Sequence, residues 1–190
     1  MEPFVGRGPG MSKASAADLE AASRRVKLIC VDVDGTLTDG GMYYSAQGEE
    51  LKRFDTRDAM GLLLLRKAGI AVAICTSENS PIVAARARKL QIEDCLLGVK
   101  DKVTAVAALL AQHGLDWPQL AYVGDDVNDQ AVLAQAGLSA CPADAPGKTA
   151  TQVMYVCTRL GGHGAVREVC ELILTALHTQ PKAAAETPGT

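Results

Sequence analysis

The chain has 190 residues, of which 48% are apolar, and a formal net charge of -3. That length supports one well-buried core and falls short of two ordinary domains. With no block of like charge, no apolar run long enough to span a bilayer and no signal-peptide core at the start, the composition argues against a nucleic-acid or membrane-surface binder. A single cytoplasmic domain is the expectation.

Residues 1–24 mix Gly, Pro, Ser and Ala with scattered charge and read as a disordered leader, with residues 18–25 at most a short helix. The apolar run ending at Val31 is closed abruptly by Asp32-Val33-Asp34-Gly35-Thr36. This is the pattern of a central parallel strand whose carboxyl end opens into a polar site, where open α/β sheets bind ligands. Alternation forbids Asp32 and Asp34 from facing the same way along a continued strand, but a Gly-Thr turn lets the chain curl around one spot. Carboxylates clustered there suit a hard divalent cation or acid/base work.

Met42 to Ser45 and Glu50 to Phe54 flank a Gly-containing turn and predict a β-hairpin, too small to be a cap domain. A helix follows over residues 58–68, with Arg66 and Lys67 in its last turn and Gly69 as its stop. Residues 70–75 repeat the plan as a second buried strand, ending at Thr76-Ser77-Glu78 and followed by a helix through Leu90. A short strand over 96–99 leads through Lys100-Asp101-Lys102 to a helix over 103–113, and a fourth strand over 120–124 runs directly into Asp125, Asp126 and Asp129. Strand-like runs over 138–141 and 153–157 precede Gly161-Gly162-His163-Gly164 and a last helix over 165–177; residues 180–190 read as a disordered tail. Strands alternating with helices of this size predict right-handed βαβ units in a three-layer α/β/α sandwich spanning residues 25–179. The six cysteines show no Cys-x-x-Cys spacing and read as buried reduced thiols, and the three histidines form no metal-spacing cluster.

Four signals at successive strand ends, Asp32-x-Asp34-Gly35-Thr36, Thr76, Lys102 and Gly124-Asp125-Asp126-x-x-Asp129, resemble the haloacid dehalogenase (HAD) superfamily of phosphatases. Taken singly they are a turn, a helix cap, a solvated lysine and another cap; only their joint order is specific. The hairpin in place of a cap domain and the Gly161–Glu168 segment resemble its capless branch, which contains the 3-deoxy-D-manno-octulosonate (KDO) 8-phosphate phosphatases and the nonulosonate (KDN or sialic acid) 9-phosphate phosphatases. That resemblance implies a HAD-like Rossmannoid fold and Mg2+, with Asp32 as nucleophile, Asp34 as proton shuttle, and Thr76 and Lys102 as phosphate-charge stabilisers. It also implies metal binding by Asp32, Asp34 and Asp125, with Asp126 or Asp129 orienting metal-bound water.

For the substrate, the octulosonate enzymes commonly continue Thr-Gly-Arg after this threonine, whereas this chain has Thr76-Ser77-Glu78. Glu78 and Lys89 match the nonulosonate pattern, which makes a nonulosonate 9-phosphate the leading expectation and KDO 8-phosphate the alternative. As ordinary residues, both suit helix ends through the macrodipole. In the capless relatives a homotetramer supplies the roof, which implies that Gly162, His163 and Arg167 close a partner's pocket. A further alternative is a catalytically silent tetramerisation domain like the tail of some CMP-sialate synthetases, which lacks parts of the set retained here.

Overall fold

The computed structural model describes residues 14–179, so most of the expected leader and the whole expected tail lie outside the described residues. In chain order the elements are α1 (Ala16–Arg25), β1 (Leu28–Val31), β2 (Tyr43–Ser45), β3 (Gly48–Leu51), α2 (Thr56–Lys67), β4 (Ala71–Cys75), α3 (Pro81–Leu90) and β5 (Asp94–Leu96). There follow α4 (Lys102–Gln112), β6 (Leu120–Val123), α5 (Gln130–Leu133), β7 (Leu138–Cys141), α6 (Gly147–Ala150), β8 (Tyr155–Val156) and α7 (Ala165–His178).

Six strands form one sheet in the order β5-β4-β1-β6-β7-β8, and every pairing is parallel. Side-chain alternation splits each central strand between two cores. Ile29, Val31, Val72, Ile74, Ala121 and Val123 pack toward α1, α2, α3 and α7. Leu28, Cys30, Ala73, Cys75, Leu120 and Tyr122 pack toward α4, α5 and α6. Burial on both faces is why these strands read as continuous apolar runs rather than alternating ones. The expected three-layer sandwich is present, and the hairpin β2–β3 stands apart as a separate antiparallel pair.

The order also places the site. The chain runs from β1 outward to β4 and β5, then returns to β6 on the opposite side of β1, so the carboxyl ends of β4, β1 and β6 lie side by side at a topological switch point.

Two expectations shift. Residues 16–25 are a helix, not a leader: Ser15 and Asp18 form a reciprocal capping box, Leu19 and Ala22 are buried, and Arg24 donates to the Thr179 carbonyl at the end of α7. The short stripe Leu19-Ala22-Ser23 is too narrow to announce itself by periodicity, and only the partner surface on α7 makes it a core face. β5 begins two residues before the expected start, because its register pairs Asp94, Cys95 and Leu96 with Ala73, Ile74 and Cys75. Beyond Leu96 the chain turns away at Gly98 (φ 66°), whose N–H donates to the Glu78 carbonyl. None of the six cysteines is in a disulfide, and all but Cys95 are buried. Among the described residues no helix is long and apolar enough to cross a membrane.

Candidate active site

Asp32 is the first residue beyond β1 and is 4% exposed. It continues the Leu28, Cys30 alternation, so its carboxylate points to the α4–α5 side of the sheet. There the Lys102 ammonium, at the start of α4, lies 2.9 Å from Asp32 Oδ1 and 2.7 Å from Asp129 Oδ1. Asp129 is fully buried, and both its oxygens are occupied. Oδ1 accepts from Lys102 Nζ and from the Tyr122 hydroxyl, and Oδ2 from the backbone N–H groups of Asp125 and Asp126. Asp129 thus fixes both Lys102 and the loop that carries Asp125; of the two acids expected to orient metal-bound water, it is the one whose oxygens already have protein donors. Asp126 is exposed and lines the pocket.

The loop after Asp32 curls as its sequence predicts. Gly35 takes φ 79°, the N–H groups of Thr36 and Thr38 both donate to the Val33 carbonyl, and a Cβ at Gly35 would lie 2.1 Å from Asp125 Oδ2. Only glycine permits both that backbone conformation and that approach. The glycines of the later segment press on the same loop: a Cβ at Gly161 would lie 1.9 Å from the Gly35 carbonyl oxygen, and the Gly162 N–H donates to the Thr36 carbonyl at 3.0 Å.

Thr76 directly follows β4 and is 1% exposed; its hydroxyl accepts from the Glu78 N–H at 3.2 Å and keeps its own proton to donate. Asp32, Asp34, Thr76, Glu78, Asp125 and Asp126 line one open basin of about 270 Å³, with Met42 of the hairpin as a further wall. One oxygen from each of Asp32, Asp125 and Asp129 lies within 4.8 Å of the others.

The electrostatics are those of crowded acids. Burial, reinforced by the Asp129 charge and opposed by Lys102, pushes Asp32 up to about 8. Burial, then the charges of Asp129 and Asp126, pushes Asp125 up to about 7. Lys102 is raised as well: burial works against its charge, but Asp32 and Asp129 outweigh it. Three carboxylates face one ammonium, and the excess negative charge suits a hard cation held by oxygen ligands.

Of the five expected substrate contacts only Glu78 lines this basin. Lys89 lines a separate cleft between α2 and α3, beside Arg66 and Arg86. His163 and Arg167 line another, about 880 Å³, with Arg57 and Arg159. The α7 N-terminus is taken by Asp58, whose carboxylate accepts from the N–H groups of Gly164 and Arg167. The Arg167 side chain pairs with Glu171 at 2.7 Å. Sequence reasoning missed Lys52, whose fully buried side chain places Nζ 2.5 Å from Asp34 Oδ1 and 2.5 Å from Glu49 Oε1. A lysine on a short hairpin reads as solvated, and nothing local marks it otherwise.

A parallel sheet with a buried aspartate, a buried lysine, a threonine and a second acid at neighbouring strand ends, under a hairpin instead of a cap, defines a phosphatase of the HAD superfamily. A curated relative, the KDO 8-phosphate phosphatase KdsC of Yersinia pestis, is 42% identical over 161 residues, covering 85% of this chain and 86% of that protein. The chain belongs to the KdsC phosphatase family. Its fold matches the crystal structure of the Yersinia pestis KDO 8-phosphate phosphatase with a TM-score of 0.84 at 42% identity, covering 86% of this chain and 88% of that one. It also matches the Moraxella catarrhalis enzyme in complex with a magnesium ion, a phosphate ion and KDO, with a TM-score of 0.82 at 38% identity, covering 85% and 93%. No protein-family model matches the chain.

Proposed function

We propose that the chain hydrolyses KDO 8-phosphate through an aspartyl-phosphate on Asp32, with Mg2+ as cofactor. The observation that carries the chemistry is the Asp32 carboxylate at the floor of the basin, with the Lys102 ammonium at 2.9 Å behind it and Thr76 and Asp125 on the adjoining strands. Asp32 attacks phosphorus in line. Asp34 gives its proton to the leaving sugar oxygen and then takes one from the water that cleaves the aspartyl-phosphate. The Thr76 hydroxyl donates to a phosphoryl oxygen, and Lys102 holds Asp32 and offsets the phosphoryl charge.

The donor set fits the cofactor. Carboxylate oxygens of Asp32 and Asp125 and the Asp34 carbonyl would hold Mg2+, while Asp129 is saturated by its own donors. When bound, the ion supplies positive charge that lets a carboxylate approach a phosphate dianion.

Support for the eight-carbon acid comes from the relatives named for KDO 8-phosphate and from the Moraxella catarrhalis complex with KDO. This reverses the ranking drawn from Glu78 and Lys89. A nonulosonate 9-phosphate stays as a second reading because Glu78 does line the basin, where it can accept from sugar hydroxyls. Gly162, His163 and Arg167 would reach substrate by closing a partner's pocket, in a homotetramer whose solution mass would be four chains, while Lys89 lines the cleft between α2 and α3 of its own chain. A steady-state comparison of phosphate release from KDO 8-phosphate, KDN 9-phosphate and N-acetylneuraminate 9-phosphate tests the proposal. Expected are a preference for the first ester and loss of all turnover with chelator. Preference for a nine-carbon ester selects the second reading, and turnover unaffected by chelator removes Mg2+.

A further inference from the structure

The hairpin carries more than a wall of the basin. Lys52 follows β3, its side chain has 0% exposure, and its ammonium is shared between Asp34 Oδ1 and Glu49 Oε1 at 2.5 Å each. Glu49 is itself tied to the main body, because the Ser80 hydroxyl before α3 donates to its Oε2 at 2.8 Å. A line of contacts therefore runs from the start of α3 through Glu49 and Lys52 to Asp34. Burying an ammonium this completely is costly unless carboxylates compensate it, and here the compensating groups include a residue of the site. Lys52 does not line the basin, and its contact with the site is the one it makes with Asp34.

We infer that Lys52 is a positioning residue for the leaving-group side of the reaction. In the first half-reaction the bond from Asp32 to phosphorus forms, the ester P–O bond breaks, and the proton of the Asp34 carboxyl passes to the departing oxygen. Asp34 gains negative charge in that step, and the fixed ammonium of Lys52 lies where that charge develops. The same contact holds the Asp34 carboxylate in one orientation, with Glu49 and Ser80 preventing Lys52 from following the substrate. The hairpin thus delivers an electrostatic partner to the acid.

The assignment rests on the phosphatase reading above, and its test separates the two. An alkyl ester needs a proton on its leaving oxygen, whereas 2,4-dinitrophenyl phosphate does not, and kcat/KM reports only the steps up to leaving-group departure. Wild type, Lys52→Met and Glu49→Gln are compared on the sugar-acid phosphate with the highest turnover and on dinitrophenyl phosphate. Lys52→Met is expected to lose on the order of 100-fold in kcat/KM on the alkyl ester, the usual scale of a general-acid contribution, with little change on the aryl ester. Glu49→Gln should show the same selectivity with a smaller loss, and it carries the comparison if Lys52→Met does not fold. Equal losses on both esters, a loss confined to the aryl ester, or no loss overturns the Lys52 assignment alone. A wild-type enzyme that releases phosphate from neither ester overturns the phosphatase reading itself.

Discussion

At the residue scale, the site is a set of charges that burial makes uncomfortable and neighbours make tolerable. Burial and the Asp129 charge push Asp32 up to about 8, and Asp129 pairs with Lys102 independently at 2.7 Å, so Lys102 keeps a partner when the charge at position 32 is removed. Asp32→Asn should therefore abolish phosphate release while keeping a cooperative thermal transition; turnover above background in a folded variant would remove Asp32 as nucleophile. Asp55 behaves oppositely. Hydrogen bonds from Arg57 hold its carboxyl down at about 2, against an ordinary value of 3.8. The folded state then binds protons less readily than the unfolded chain, so the stabilisation is complete above about 3.8 and is lost as pH falls toward 2. Asp55→Asn, which still caps α2, should flatten the fall in denaturation midpoint between those pH values; an unchanged acid limb would show that the pair contributes nothing.

At the element scale, α1 shows how little of a helix need be visible in its residues. Its buried stripe is Leu19, Ala22 and Ser23, yet it seals α7 and ends in the bond from Arg24 to Thr179. Leu19→Ala should cost about 2 kcal/mol in urea unfolding while leaving kcat unchanged, whereas a disordered leader would give no change in stability. The strands present the reverse case. β1, β4 and β6 are built of Leu, Ile, Val, Ala, Cys and Tyr and end at Val31, Cys75 and Val123, and Asp32 and Thr76 directly after them and Asp125 after one glycine were readable because a strand's carboxyl end is marked by the abrupt change in residue type. Helix boundaries were less so: Gly69 marked the end of α2, but the expected starts at 58 and 103 fall after the observed Thr56 and Lys102, whose caps are the Asp55 and Asp101 side chains.

At the scale of the whole molecule, the strand order brings distant stretches to one point. Because the chain leaves β1 on one side and returns on the other, Thr76 and Asp125 flank Asp32. Local sequence sets the alternation of strands and helices and the order of Asp32, Asp34, Thr76, Lys102 and Asp125, since hydrophobic runs, caps and strand-terminal polar groups are properties of neighbours along the chain. Tertiary structure alone decided which side chains share a space. It separated Lys89 from the Glu78 basin, filled the α7 N-terminus with Asp58, pressed Gly161 onto Gly35, and turned Asp129 into the brace of Lys102. It also buried Lys52 against the Asp34 carboxylate. The physical reason is the same in each case: a charge's role depends on what lies within a few ångströms of it, and here those groups are mostly remote in sequence, so the motif at the end of β1 announced its chemistry while its partners became legible only in the fold.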